Sequence, residues 1–157
     1  MSDEYEFYQG AVLRQLIVQS DFSIMLRPFE KQGRVNAFVV NGKIGVFIKH
    51  SGKRMSPWRF TFTIEQVADL LDLTVAYSSS FVSFVCADDG IVTIDATTLY
   101  EIVSFQDSEN AWVRIERPPR AQYSVSGNKA DLARKVPTGI LPIIHTIRAQ
   151  AKRVRSV

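Results

Sequence analysis

The sequence predicts a single α/β to α+β domain with a mixed central β-sheet and flanking helices. Three observations carry that prediction. Stretches with helical spacing and stretches with two-residue alternation are intermixed along the chain without strict alternation. Asn41-Gly42 lies between two β-rich runs, the pattern of an antiparallel hairpin. Phe81 to Ala87 is almost continuously apolar, as a strand covered on both faces would be. The 157 residues, 46% of them hydrophobic, suit one domain spanning 1–157 that needs no disulfide or metal staple.

Taken in order, residues 5–18 place Tyr8, Ala11, Val12, Leu16 and Val18 near helical spacing, with Gly10 weakening the helix. Residues 22–29 alternate and predict a strand ending at Pro28. Next come the two arms of the hairpin, Val35 to Val40 and Lys43 to Lys49. A two-residue Asn-Gly turn pairs Val40 with Lys43, Phe38 with Gly45, Asn36 with Phe47 and Arg34 with Lys49. In that register Val35, Ala37, Val39, Ile44, Val46 and Ile48 form an apolar face. Arg34, Asn36, Phe38, Val40, Lys43, Gly45, Phe47 and Lys49 form the other, its polar groups at the open end.

Residues 51–57 read as a loop and Trp58 to Thr63 as a strand. Glu65 to Leu73 has helical spacing, with Thr63 as its N-cap. The buried strand follows, then an Asp88-Asp89-Gly90 turn, a strand over Ile91 to Ile94, and a helix capped by Asp95 through about Ser104. Ala111 to Glu116 is a strand stopped by Pro118-Pro119, and Gln122 to Ser126 is another. Pro142 to Val157 reads as a basic helix. The resulting order is αβββ(β)αβ with β and α additions at the C-terminal end.

Composition excludes several classes. The chain is too apolar for intrinsic disorder and lacks collagen-like or coiled-coil periodicity. A lone cysteine, Cys86, excludes an intramolecular disulfide and a Cys-rich zinc site. His50 and His145 are the only histidines, which excludes a His-rich metal site. No apolar run reaches the roughly 18 residues of a membrane span, and the acidic start does not suit a signal peptide. A cytoplasmic protein without a membrane partner is expected.

The net charge of +3 is an average over segregated blocks. Residues 27–59 carry eight bases against Glu30 alone, and residues 112–157 carry ten bases against Glu116 and Asp131. Between them, residues 60–111 hold nine acids and no base. Such blocks can fold into a two-signed surface whose basic side attracts polyanions. In the first basic block, Lys49, His50, Lys53, Arg54 and Arg59 interleave with Trp58, and Arg34 lies across the hairpin. Bases neutralise phosphates while aromatics stack on unpaired nucleobases, so this set suits nucleic acid. Arg148, Lys152, Arg153 and Arg155 form a second basic set on the last helix, and Arg114, Arg117 and Arg120 a third.

A helix, a hairpin-rich three-stranded segment, a helix and a buried strand over about residues 5–87 resemble the core of the restriction-endonuclease-like, PD-(D/E)XK superfamily. That family carries an acid on one central strand opposite an acid-x-Lys triplet on the next, and its carboxylates hold Mg²⁺. Here Asn36 stands at the acid position and Phe47-Ile48-Lys49 replaces the triplet, so only Lys49 matches. The run from Phe47 to Ser51, with Lys53-Arg54, Ser56-Pro57-Trp58 and Phe60-Thr61-Phe62, is also similar to segments of uncharacterised bacterial proteins.

The resemblance implies a nucleic-acid-associated accessory domain without an intact metal site and without a cofactor. In it Arg34, Lys49, His50, Lys53, Arg54 and Arg59 contact the backbone, Asn36 bonds a phosphate or base, and Trp58 stacks. Two alternatives stand beside it. One is a Mg²⁺-dependent nuclease with carboxylates moved to Glu30, Glu4 or Glu6 and Lys49 steadying the phosphate. The other is a protein-interaction module or homo-oligomer, a subunit of a bacterial complex.

Overall fold

A computed structural model describes residues 2–106 and 111–155. The fold is α+β, with four helices, a mixed five-stranded sheet and a separate antiparallel three-stranded sheet. Its elements are α1 (Ser2–Gln19), β1 (Leu26–Lys31), β2 (Arg34–Val40), β3 (Ile44–Ser51), β4 (Trp58–Thr61), α2 (Ile64–Ala76), β5 (Ser79–Cys86), β6 (Gly90–Asp95), α3 (Ala96–Ile102), β7 (Trp112–Glu116), β8 (Ser124–Gly127) and α4 (Leu141–Arg155). The large sheet runs β1-β2-β3-β5-β6, antiparallel except for the β3–β5 pair. The small sheet runs β4-β7-β8. Among the described residues no helix is long and apolar enough to cross a membrane.

Three layers follow from which side chains are apolar. Val12 and Leu16 of α1, one helical turn apart, join Ile143, Ile144 and Ile147 of α4 against one face of the large sheet. Val40, Ile44, Val46, Ile48, Phe81 and Val85 meet them there. The opposite face presents Phe47, Val82, Phe84 and Val92 to α2, α3 and the small sheet, whose Trp58, Phe60, Val113, Ile115 and Val125 point inward. β3 and β5 are thus covered on both sides, as the apolar run in β5 predicts.

Asn41 and Gly42 adopt positive φ (55° and 67°), and the Lys43 amide donates to Val40 O at 3.0 Å, as a two-residue turn requires. The ladder then differs from expectation. Lys43 is left out, and Ile44 pairs with Val40, Gly45 with Val39 and Phe47 with Ala37. This one-residue slip dissolves the expected all-apolar face. Ala37 and Phe47 turn towards α2, whereas Ile44, Val46 and Ile48 turn towards α1 and α4. With both sides of β3 covered, its alternation does not discriminate between registers, and Lys43 stays exposed in the turn.

Pro28 does not end its strand. It lies within β1, at the edge of the sheet, where its missing N–H has no ladder partner to lose. Helix α2 starts with the expected Thr63 cap, completed as a capping box with Gln66, and Asp95 caps α3 by accepting from the Thr98 amide at 2.7 Å.

Candidate functional site

The polar residues of the hairpin are organised by α2. On β1 and β2, Phe29 pairs with Ala37 but Glu30 pairs with Val35, so Asn36 is the extra residue of a β-bulge. A bulge re-aims the side chain of the residue it extrudes. Asn36 therefore reaches both flanking helices. Its Oδ1 accepts from the Tyr5 hydroxyl of α1 at 2.7 Å, and its Nδ2 donates to Asp69 Oδ2 of α2 at 2.9 Å. Arg34 forms a two-pronged ion pair with the same carboxylate, Nε to Oδ2 at 3.0 Å and Nη2 to Oδ1 at 2.8 Å. Asp69 is buried, and the Arg34 guanidinium holds its carboxyl below the usual range, with Asn36 adding to the effect. Burial pushes the Tyr5 phenol up to about 12.

One turn earlier on α2, Gln66 meets Lys49. The Lys49 ammonium donates to Gln66 Oε1 at 2.8 Å and to Thr61 O at 2.6 Å, and lies 5.1 Å from the centre of the Phe62 ring. Only 9% of Lys49 is exposed, and burial pulls its ammonium down to about 8. Gln66 Oε1 also accepts from the Thr63 amide at 3.0 Å, so Lys49 is built into the start of α2. Spacing of three on a helix puts Gln66 and Asp69 on one face. Arg34, Asn36 and Lys49 thus converge along α2, each hydrogen-bonded to a residue of that helix. Asp69 is the carboxylate bonded to Asn36. Among the described residues no group of three or more His, Cys, Asp or Glu side chains could hold a metal ion.

The other expected contacts divide between core and surface. His50 is half-buried under α1, stacked on Tyr8 with ring centres 4.9 Å apart, and burial lowers its pKa. Trp58 is 1% exposed and its indole N–H donates to Lys53 O at 2.7 Å, so no face of it is open to a nucleobase. The two-residue alternation of β4 turns Trp58 and Phe60 inward and Arg59 outward. Lys53 and Arg54 are exposed in the loop before β4, Lys53 reaching Pro57 O at 2.9 Å. On α4, Arg148 pairs with Asp21 at 2.7 Å, Lys152 and Arg153 are exposed, and the Arg155 side chain lies outside the described residues.

The outer face of the small sheet carries Arg59, Arg114 and Glu116. Arg59 pairs in register with Arg114, and Thr61 with Trp112. Arg59 lies over the Trp112 ring, 4.6 Å from its centre. Arg114 forms an ion pair with Glu116 at 3.0 Å on the same face. Like charges directly opposed across an antiparallel pair repel each other, and stacking on Trp112 leaves the Arg59 donor edge facing solvent.

No protein-family model, no curated protein and no solved structure matches this chain.

Gln66, Asp69 and Tyr5 are site residues that the sequence pattern passes over. For Gln66 and Asp69 a signal is present in α2, where they fall on the stripe of Leu70 and Leu73 that faces the sheet. Trp112 is a fourth residue that the pattern passes over. Only the pairing of β4 with β7 brings it beside Arg59.

Proposed function

We propose that the chain is a nucleic-acid-associated domain that grips the backbone of an unpaired strand through the outer face of its small sheet. Arg59 and Arg114, with Lys53 and Arg54 in the adjoining loop, neutralise phosphates. Trp112 is the stacking surface. The observation that carries this reading is the Arg59–Arg114 register pair beside Trp112, two guanidiniums next to an aromatic ring, with Glu116 offsetting the charge of Arg114 alone. An anion between the two guanidiniums relieves their repulsion, and exchange of condensed counterions for Arg drives binding. The hairpin residues Arg34, Asn36 and Lys49 serve this reading indirectly, by fixing α2 and the start of β4 against the large sheet. The reading contains no metal and no hydrolytic step.

The test is binding of labelled single- and double-stranded DNA and RNA across a salt series. Single strands should bind with an affinity that falls steeply as salt rises. Arg59→Ala and Arg114→Ala should each flatten the log–log slope by about 0.7, the value for one lost single-strand phosphate contact. Trp112→Ala should weaken binding about tenfold, within the range of one lost base stack, with the slope unchanged. Absence of salt-sensitive binding at low ionic strength sinks the reading.

A further inference from the structure

At the end of the small sheet where β7 stops and β4 begins, three distant segments enclose a groove of about 620 Å³. Its walls come from Arg54 and Met55 in the loop before β4, Asp89 in the β5–β6 turn, and Arg117, Pro118 and Arg120 after β7. That size suits a small organic ligand. We propose that this groove binds a nucleotide through a terminal phosphate monoester, receiving the end of the strand that lies on the neighbouring sheet face. The inference rests on the interface proposed above and adds the chemistry of the strand end.

The three arginines do not act alike. Arg117 is committed to the protein, its Nη1 donating to Asp89 Oδ2 at 2.9 Å and its Nε to Ala121 O at 2.8 Å. The Tyr123 hydroxyl closes on the same Asp89 oxygen at 2.5 Å. Asp89 is the carboxylate lining the groove, and its charge is compensated by Arg117. Arg54 and Arg120 are exposed, and among the described residues neither guanidinium has a hydrogen-bond or ion-pair partner. Two uncommitted cations in one groove match a dianion, and a monoester carries about −1.5 to −2 at neutral pH, whereas an internal diester carries one charge. Met55, 71% exposed, and Pro118 offer apolar surface for a sugar or base beside the phosphate.

The backbone at Arg120 is an independent sign. Ala121 N donates to Pro118 O at 3.1 Å, and Arg120 has φ of 62°. Proline at the second turn position and positive φ at the third define a type II turn, whose third position favours glycine or asparagine. A long side chain held there costs about 1 kcal/mol or more, and nothing within the described protein bonds its guanidinium in return. A ligand in the groove supplies the missing partner.

The experiment compares one labelled single strand with a 5′-phosphate, with a 3′-phosphate and with hydroxyls at both ends, alongside AMP and inorganic phosphate as free competitors. One phosphorylated end should bind about tenfold more tightly than the hydroxyl-ended strand, the effect of one or two charge-assisted hydrogen bonds. Arg54→Ala and Arg120→Gly should each bring that ratio to about one. Arg120→Gly also relaxes the turn, so it should fold at least as well as the parent protein. If every strand binds and end phosphates make no difference, the groove proposal is overturned and the sheet interface stands. If no strand binds, the interface fails, and AMP then decides the groove: AMP chemical-shift changes at Arg54 and Arg120 support it, and their absence rejects it. A preference retained in Arg120→Gly likewise rejects it. Inorganic phosphate competing as well as AMP would limit the site to the phosphate group and remove Met55 and Pro118 from recognition.

Discussion

Lys49 is a cation held in the protein interior by neutral acceptors, Thr61 O and Gln66 Oε1, beside the N-terminal end of a helix whose dipole is itself positive. Burial lowers its folded-state pKa to about 8, while the unfolded chain keeps the ordinary value near 10.4. Below pH 8 both states are protonated and stability is insensitive to this group. Between about pH 8 and 10 the unfolded state binds more protons, so Lys49 makes stability rise with pH. Denaturant midpoints measured over that window should climb in the parent protein relative to Lys49→Met; parallel curves would show that the ammonium is solvated. Identifying Lys49 from sequence was straightforward, since it stands alone at the end of an apolar strand. Its role was not legible, because the partners that make it an internal bolt lie 12 and 17 residues further along the chain. Trp58 carries the same lesson in reverse. Basic neighbours suggest a surface residue, but the strand phase of β4 decides, and it sends Trp58 inward and Arg59 outward.

The elements themselves were more legible than the contacts between them, since caps and turns are written locally. Thr63 and Asp95 cap their helices as their residue types and positions lead one to expect. The Asn41-Gly42 turn has the predicted left-handed pair of residues, and Asn41 Oδ1 also accepts from the Met25 amide at 2.8 Å, which holds the turn tip against the segment entering β1. Register was the part that local chemistry left open. Extruding Lys43 moves β3 by one residue, and extruding Asn36 shifts β1 against β2. Both shifts depend on what covers the two faces of the sheet. At this scale, Thr63→Ala should destabilise the protein by about 1 kcal/mol, the usual value for a lost cap. The capping box shares Gln66 with Lys49, so the same substitution should also loosen Lys49. A double-mutant cycle with Lys49→Met in chemical denaturation should give a coupling of at least about 0.5 kcal/mol; additivity would separate the cap from the bolt.

Across the whole molecule, charge segregation in the sequence translates only in part into a segregated surface. Arg34 meets Asp69, Lys31 meets Asp72 at 3.2 Å and Arg117 meets Asp89, each pairing a basic block with the acidic one. Some of the cations that escape this neutralisation lie on and beside the small sheet, where Arg59, Arg54 and Arg120 are exposed, while Lys43 and Arg153 are exposed elsewhere. No single stretch of sequence contains that surface, which is why it was not readable from any one motif. The docking of the small sheet also depends on a glycine. A Cβ on Gly127 would collide with the carbonyl oxygen of Ile102 at the end of α3, and a backbone atom cannot swing aside. Gly127→Ala should therefore lower the melting temperature by several degrees and weaken single-strand binding, whereas Gly10→Ala, with open space around it, should leave binding unchanged. Equal losses in both variants would argue against a specific docking contact.

The Asp89–Arg117–Tyr123 cluster joins the turn of the large sheet to the loop and strand that follow β7. Since the groove has one wall on each side of that junction, its mouth has a fixed width only while the two sheets stay docked. An occupant spanning the walls would then work as a strut between the sheets: ligand concentration would set how often they part, and a nucleotide would protect the amides of β4 and β7 from exchange with solvent well beyond the atoms it touches.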